Sequence, residues 1–240
     1  MLVPRKYFKK TRRGKVLQLT EETYLRDDLG FGTLHRRVLN IEEIIQLALN
    51  DTISPGTIVC LDTNVVLNEI DILEDSSRCF STVIILQTVL QETRHQSLPK
   101  WRRLKKLLDD ETRSFIFFSN DNHCDTYTER LKNESPNDYS DRCIRHAVSW
   151  IQNQIGDEVA KVKLITNDRD NANKAKTEKL IVSNIERHIK DLGKKYAYLL
   201  EKLASNDSDF LDHNFTSRKI ETATNNRKNN TNQNKLGQNL

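Results

Sequence analysis

Glycine and proline are scarce in this chain, with seven and four among 240 residues. No Gly-x-Gly-x-x-Gly follows a strand-like stretch and no phosphate-binding loop is present, which removes the common nucleotide-binding α/β chemistries. Cysteine is scarce too. Cys60, Cys79, Cys124 and Cys143 lie far apart, with no Cys-x-x-Cys pair. That argues for reduced thiols in a protein of the nucleus or cytoplasm, and against a structural zinc site. No apolar run approaches the roughly 18 residues a membrane span needs. The basic N-terminus is not followed by the apolar core of a secretion signal, so no membrane partner is expected.

The net charge of +4 is mild but uneven. Basic residues gather between Arg5 and Lys15, including Lys9, Lys10, Arg12 and Arg13, and again in "KWRRLKK", which holds Arg102 and Arg103. Each patch is either an ordinary solvated surface or a contact for a polyanion such as RNA.

Three regions follow from the pattern. Residues 1–55 form a basic extension, in which "KYFKKT" and "KVLQLT" flank a turn at Arg12-Arg13-Gly14 as a hairpin would. A short helix, "NIEEIIQLALN", comes next. Residues 56–204 alternate strand-like and helix-like stretches. "TIVCL", "STVIIL", "SFIFFS" and "VAKVKLIT" read as four buried strands. "VVLNEIDIL", "QTVLQETRHQ", "PKWRRLKKLLDDE", "SDRCIRHAVSWIQNQI" and "VSNIERHIKDLGKKYAYLLEKLA" read as helices. Pro99 is expected at the first position of its helix and Ser140 as the cap of the next. The alternation predicts an α/β fold with a central parallel sheet flanked by helices. Residues 205–240 are Asn-rich and without periodicity, the composition of a disordered tail.

One acid ends an apolar strand abruptly: Asp62, after "IVCL". Asp168 stands in the same place after the fourth strand, and in a parallel sheet ligands bind outside those carboxyl ends. Glu92, inside the helix after the second strand, and Asp141, at the start of "DRCIRHAV", are placed to face the same edge. Each has a plainer reading. Asp62 is also a natural helix cap, Asp141 complements a helix dipole, Asp168 suits a turn, and Glu92 suits solvent. Together they point to a cation, because four carboxylates in one cleft repel. Oxygen donors without a His or Cys cluster suit Mn²⁺ or Mg²⁺. Such an ion supports phosphodiester hydrolysis.

The stretches "CLDTNVVLNEIDILED", "ILQTVLQETRHQS", "NDYSDRCIRHAVSW" and "LITNDRDN" resemble the PIN domain family. They are most similar to the N-terminal PIN endonuclease domain of the exosome's RNase II-type catalytic subunit, whose preceding segment "YLRDDLG" also matches. The resemblance runs from about Lys9 to about Leu203. It implies a PIN-like (Rossmann-like) nuclease domain that cuts single-stranded RNA in RNA processing or decay. It also implies that Asp62, Glu92, Asp141 and Asp168 are both catalytic acids and ligands of Mn²⁺ or Mg²⁺. Asn64 and Thr166 would be supporting polar groups, with Thr63 and Asn167 as weaker candidates. Contact with exosome core subunits is implied as well. A non-catalytic module tethering nuclease activity to that core is the alternative. The family's cysteine-bearing stretch after "YLR" is missing here. Its oligonucleotide-binding and exonuclease domains are absent too, so no exonuclease activity is expected of these 240 residues.

Overall fold

The structure, a computed structural model, describes residues 1–32, 38–80 and 82–203. The expected tail at 205–240 lies outside the described residues.

The chain opens with an antiparallel hairpin of β1 (Leu2–Lys10) and β2 (Val16–Tyr24), in unbroken register from Leu2↔Tyr24 to Lys10↔Val16. Its turn closes where the sequence predicts. Thr11 N donates to Lys15 O at 2.8 Å, and Gly14 takes a φ of +80° that a side chain would resist. Helix α1 (Ile41–Leu49) starts on a reciprocal capping box, Asn40 receiving the Glu43 amide and Glu43 the Asn40 amide.

The body then winds through β3 (Thr57–Leu61), α2 (Thr63–Leu73), β4 (Thr82–Leu86), α3 (Gln87–Gln96) and α4 (Leu98–Asp109). It continues with β5 (Ser114–Phe118), α5 (Pro136–Ile155), β6 (Lys161–Ile165), α6 (Arg169–Thr177), β7 (Ile181–Ser183) and α7 (Ile185–Asp191). A helical turn at 198–203 closes the described chain. The five body strands pair in parallel in the order β5-β4-β3-β6-β7. All five residues of β4 are buried, as are four of the five in β3. Such continuous apolar strands need helices on both faces. The edge strand β5 is bridged by Gly32, whose amide reaches Phe117 O at 2.9 Å, and Phe31 stacks on Phe118. That short segment shields an edge that would otherwise invite pairing.

Three expectations shift. The start of "VSNIERHI" is strand rather than helix. Ile181–Ser183 pair with Lys163–Ile165, and Asn184 then caps α7 by accepting the Arg187 amide. Helix α5 starts at Pro136, four residues before Ser140, with Ser135 as its cap accepting the Asp138 amide at 3.0 Å. Ser140 is buried inside it. Asp141 therefore sits in the second turn, away from the helix terminus. Pro99 takes the second position of α4 rather than the first, still within the turn whose amides have no helical partner.

Candidate active site

The chain runs from β3 through α2 to β4 on one side, whereas β6 leads to β7 on the other. The crevice at the carboxyl ends of β3 and β6 is thus the sheet's topological switch point. Asp62 and Asp168 stand there, each directly or closely following its strand.

Asp62 is both a cap and something more. Its Oδ1 accepts the Thr63 amide at 2.6 Å, which starts α2. Its Oδ2 collects three further donors: Thr166 Oγ1 at 2.5 Å, Asn171 Nδ2 at 3.0 Å and Asn64 Nδ2 at 3.2 Å. The carboxyl is only 2% exposed. Burial pushes its pKa up, hydrogen bonds from Thr166, Asn171 and Thr63 pull it back, and the charge of Glu92 raises it. A helix cap alone does not require three extra donors.

Asp168 caps α6 through Oδ1, which accepts the amides of Asp170 at 2.7 Å and Asn171 at 3.0 Å. Glu92 projects from α3 and takes the Thr63 hydroxyl on Oε2 at 2.6 Å. Asp141 is different. Half-buried on α5, its carboxylate receives no hydrogen bond among the described residues. Its pKa is pushed up to about 7, first by burial and then by the charges of Asp62 and Asp168, with Glu92 adding to the rise and Arg145 opposing it. All four acids are therefore felt at one place, and Asp141 is the one with no donor to neutralise it.

Polar side chains lock this arrangement. Thr166 Oγ1 accepts the Asp168 amide at 3.1 Å while donating to Asp62. Asn64 Oδ1 accepts the Asn167 amide at 3.2 Å, and Asn167 Oδ1 accepts the Ile185 amide at 3.2 Å. These links tie the ends of β3, β6 and β7 together.

Three contributors escaped the sequence reading. Asn171 is fully buried. Its Oδ1 accepts Arg145 Nη1 at 2.8 Å, so its Nδ2 must face Asp62. Arg145, 5% exposed, is held in turn by Glu178 at 2.9 Å. Spacing offered a hint: Arg145 lies one turn after Asp141, and Asn171 three residues after Asp168. Asp121 follows β5 and accepts Thr88 Oγ1 at 2.7 Å and Asn120 Nδ2 at 3.0 Å. Burial raises its pKa and Glu92 adds to the rise. It is a fifth acid at the same edge.

The acids supply hard oxygen donors with an unmet negative charge, which fits Mn²⁺ or Mg²⁺. Among the described residues, however, the one trio whose ligand atoms all lie within 4.8 Å of each other is His123, Cys124 and Asp125. The four acids share the site through repulsion rather than contact. The trio suits a cation less well. His123 Nδ1 accepts the Asp125 amide at 3.2 Å, and desolvation together with Asp125 raises the Cys124 pKa, keeping the thiol protonated.

The basic candidates do not converge on the acids. Lys9, Lys10, Arg12 and Arg13 are exposed at the tip of the hairpin. The strands place that tip about 30 Å from its base at Leu25. Arg102 is exposed on α4. Arg103 is already matched, its guanidinium held by Glu74 at 3.0 and 2.5 Å and by Asp71 at 2.5 Å.

A family profile described as PIN domain matches residues 59–186. Exosome complex exonuclease RRP44 homolog A of Arabidopsis thaliana is 37% identical over 193 residues, 80% of this chain and 20% of that protein. Exosome complex exonuclease RRP44 of Homo sapiens is 36% identical over 203 residues, 80% of this chain and 21% of that protein. This chain thus spans about a fifth of the length of the curated relatives it matches. Among solved structures, the Trypanosoma brucei RRP44 PIN domain is similar at a TM-score of 0.52 and 21% identity, covering 78% of this chain and 98% of that one. That likeness supports the parallel-sheet fold.

Proposed function

The chain belongs to the PIN domain family, and we propose that it is a metal-dependent endoribonuclease acting on single-stranded RNA. The observation that carries this is Asp141, a half-buried carboxylate without a donor, raised to about 7 beside three other acids. Such a group is costly unless a cation joins it. Asp62, Glu92, Asp141 and Asp168 would hold Mn²⁺ or Mg²⁺. The bound ion would supply charge stabilisation at the phosphate and a water of lowered pKa.

The chain's own residues do the remaining work. Thr166, Asn64 and Asn171 fix the Asp62 carboxylate through Oδ2, which leaves Oδ1, bonded only by the Thr63 amide, as the oxygen that would meet a ligand. Thr63 orients Glu92. Arg145 fixes the Asn171 amide and moderates the repulsion at Asp141.

The test is cleavage of an unstructured RNA with Mn²⁺ and with chelator. Wild type should cut only with the metal, and Asp141→Asn should not cut while keeping the wild-type circular dichroism. Cleavage by that variant at the wild-type rate would remove Asp141 from the reaction.

A second reading has one observation in its favour. The hairpin carries Phe8 and Tyr24 at 72% and 65% exposure, and the register puts exposed Leu2 and Val16 on the same face, apolar side chains that a protein partner would cover. The relatives' names place them in an exosome complex, so docking to exosome core subunits, in nucleus or cytoplasm, is part of the proposal. A pull-down with purified core decides it; loss of binding on removing residues 1–24 is the expected result, and no binding by the full chain would end it.

A further inference from the structure

We propose that the cleft between α6 and α7, opening beside Asp168, binds the sugar-phosphate backbone of single-stranded RNA next to the acids. This rests on the nuclease reading above. The cleft holds about 1170 Å³, more than the ~300–1,000 Å³ that suits a small molecule, and Thr166, Asn167 and Asp168 line part of it. A strand lying in it would therefore pass Asp168, the one of the four acids among its lining residues.

Its chemistry is two-sided. Arg169, Lys176 and Arg187 line it, are exposed, and make no ion pair among the described residues. Elsewhere along the same cleft the cations are already engaged, Lys190 with Glu186 and Lys100 with the Leu67 carbonyl. The three unmatched charges are thus a local feature, not the general condition of this surface. Half-buried Val182, Leu200 and Leu203 form an apolar wall. Unpaired cations beside an apolar wall suit a chain with an anionic backbone whose flat bases pack on aliphatic surface; no aromatic ring is among the lining residues, so the cations would carry most of the affinity. Double-stranded nucleic acid keeps its bases stacked inside and would not use that wall. Neither the hairpin nor Arg102 lines this cleft, so the assignment differs from the one charge runs in the sequence suggest.

The test measures binding of the full chain, in chelator, to a fluorescent unstructured RNA by anisotropy across a salt series. The variant Lys176→Gln with Arg187→Gln should weaken binding about 10-fold at 0.1 M KCl. Its log–log salt slope should fall by about 1.4, at ~0.7 per lost phosphate contact. Lys161→Gln, at the amino end of β6 and so at the opposite end of the strands, should leave both unchanged. Wild-type affinity and slope in the double variant would overturn the proposal, and so would an equal loss in Lys161→Gln. Hydrolysis of bis(4-nitrophenyl) phosphate with Mn²⁺, too small to span the cleft, should be the same in wild type and double variant. If wild type hydrolyses neither this diester nor RNA, the nuclease reading fails, while the binding series still decides the cleft.

Discussion

At the scale of single residues, Asp141 is where the account can be read by titration. Its folded pKa, about 7, stands above its ordinary value of 3.8. A carboxyl raised on folding contributes most to stability when protonated in both states, and that contribution is lost as pH rises through its folded pKa. In chelator, Asp141→Asn should melt above wild type at pH 8, and the gap should close as pH falls toward the ordinary carboxylate range. His188, buried and held down to about 4, titrates in both proteins and cancels in the comparison. A gap that does not change with pH would contradict the buried, repelled Asp141. Asn171 offers a second check. Asn171→Leu should weaken Mn²⁺ binding by about 10–100-fold, as loss of a group that holds a ligand does, and calorimetric titration measures it. Wild-type affinity in that variant would leave Asn171 a purely structural link to Arg145. Asp62 and Asp168 were legible because an apolar run ending in an acid is conspicuous. Arg145 and Asn171 were not, since a hydrogen-bond relay between α5 and α6 has no period to read.

At the scale of elements, the four five-residue strands β3, β4, β5 and β6 were visible as short apolar runs, and their helices as amphipathic ones. Strand β7 was not, because its three residues are too few to show a pattern and its pairing with β6 is decided by the rest of the sheet. The start of α5 was misplaced for a different reason. Both Ser135 and Ser140 can cap, and what separates them is Pro136, which suits a first turn and cannot continue a helix. Urea denaturation can separate them. Ser135→Ala should cost about 1 kcal/mol, the usual loss of a cap, and Ser140→Ala clearly less. The reverse order would place the helix start at Ser140. In the sheet, Ile84 on β4 is fully buried, and Ile84→Ala should cost about 2–5 kcal/mol in the same experiment.

At the scale of the whole molecule, the parallel sheet explains why residues 62, 92, 141 and 168 lie near enough to repel one another. Four segments far apart in sequence reach one crevice because β3 and β6 are neighbours whose connections leave in opposite directions. The hairpin, by contrast, forms a two-stranded sheet of its own, so its basic tip could be read as charge but not placed against the acids. A divalent ion held by the folded site and not by the unfolded chain stabilises by about 2.7 kcal/mol at a hundredfold excess over its dissociation constant. The most direct measurement of the central claim is anomalous diffraction from a crystal soaked in Mn²⁺. The expected result is a manganese peak in the crevice, bound by oxygens of the Asp62, Glu92, Asp141 and Asp168 group. A peak at His123, Cys124 and Asp125 instead, with the four acids free of metal, would contradict it.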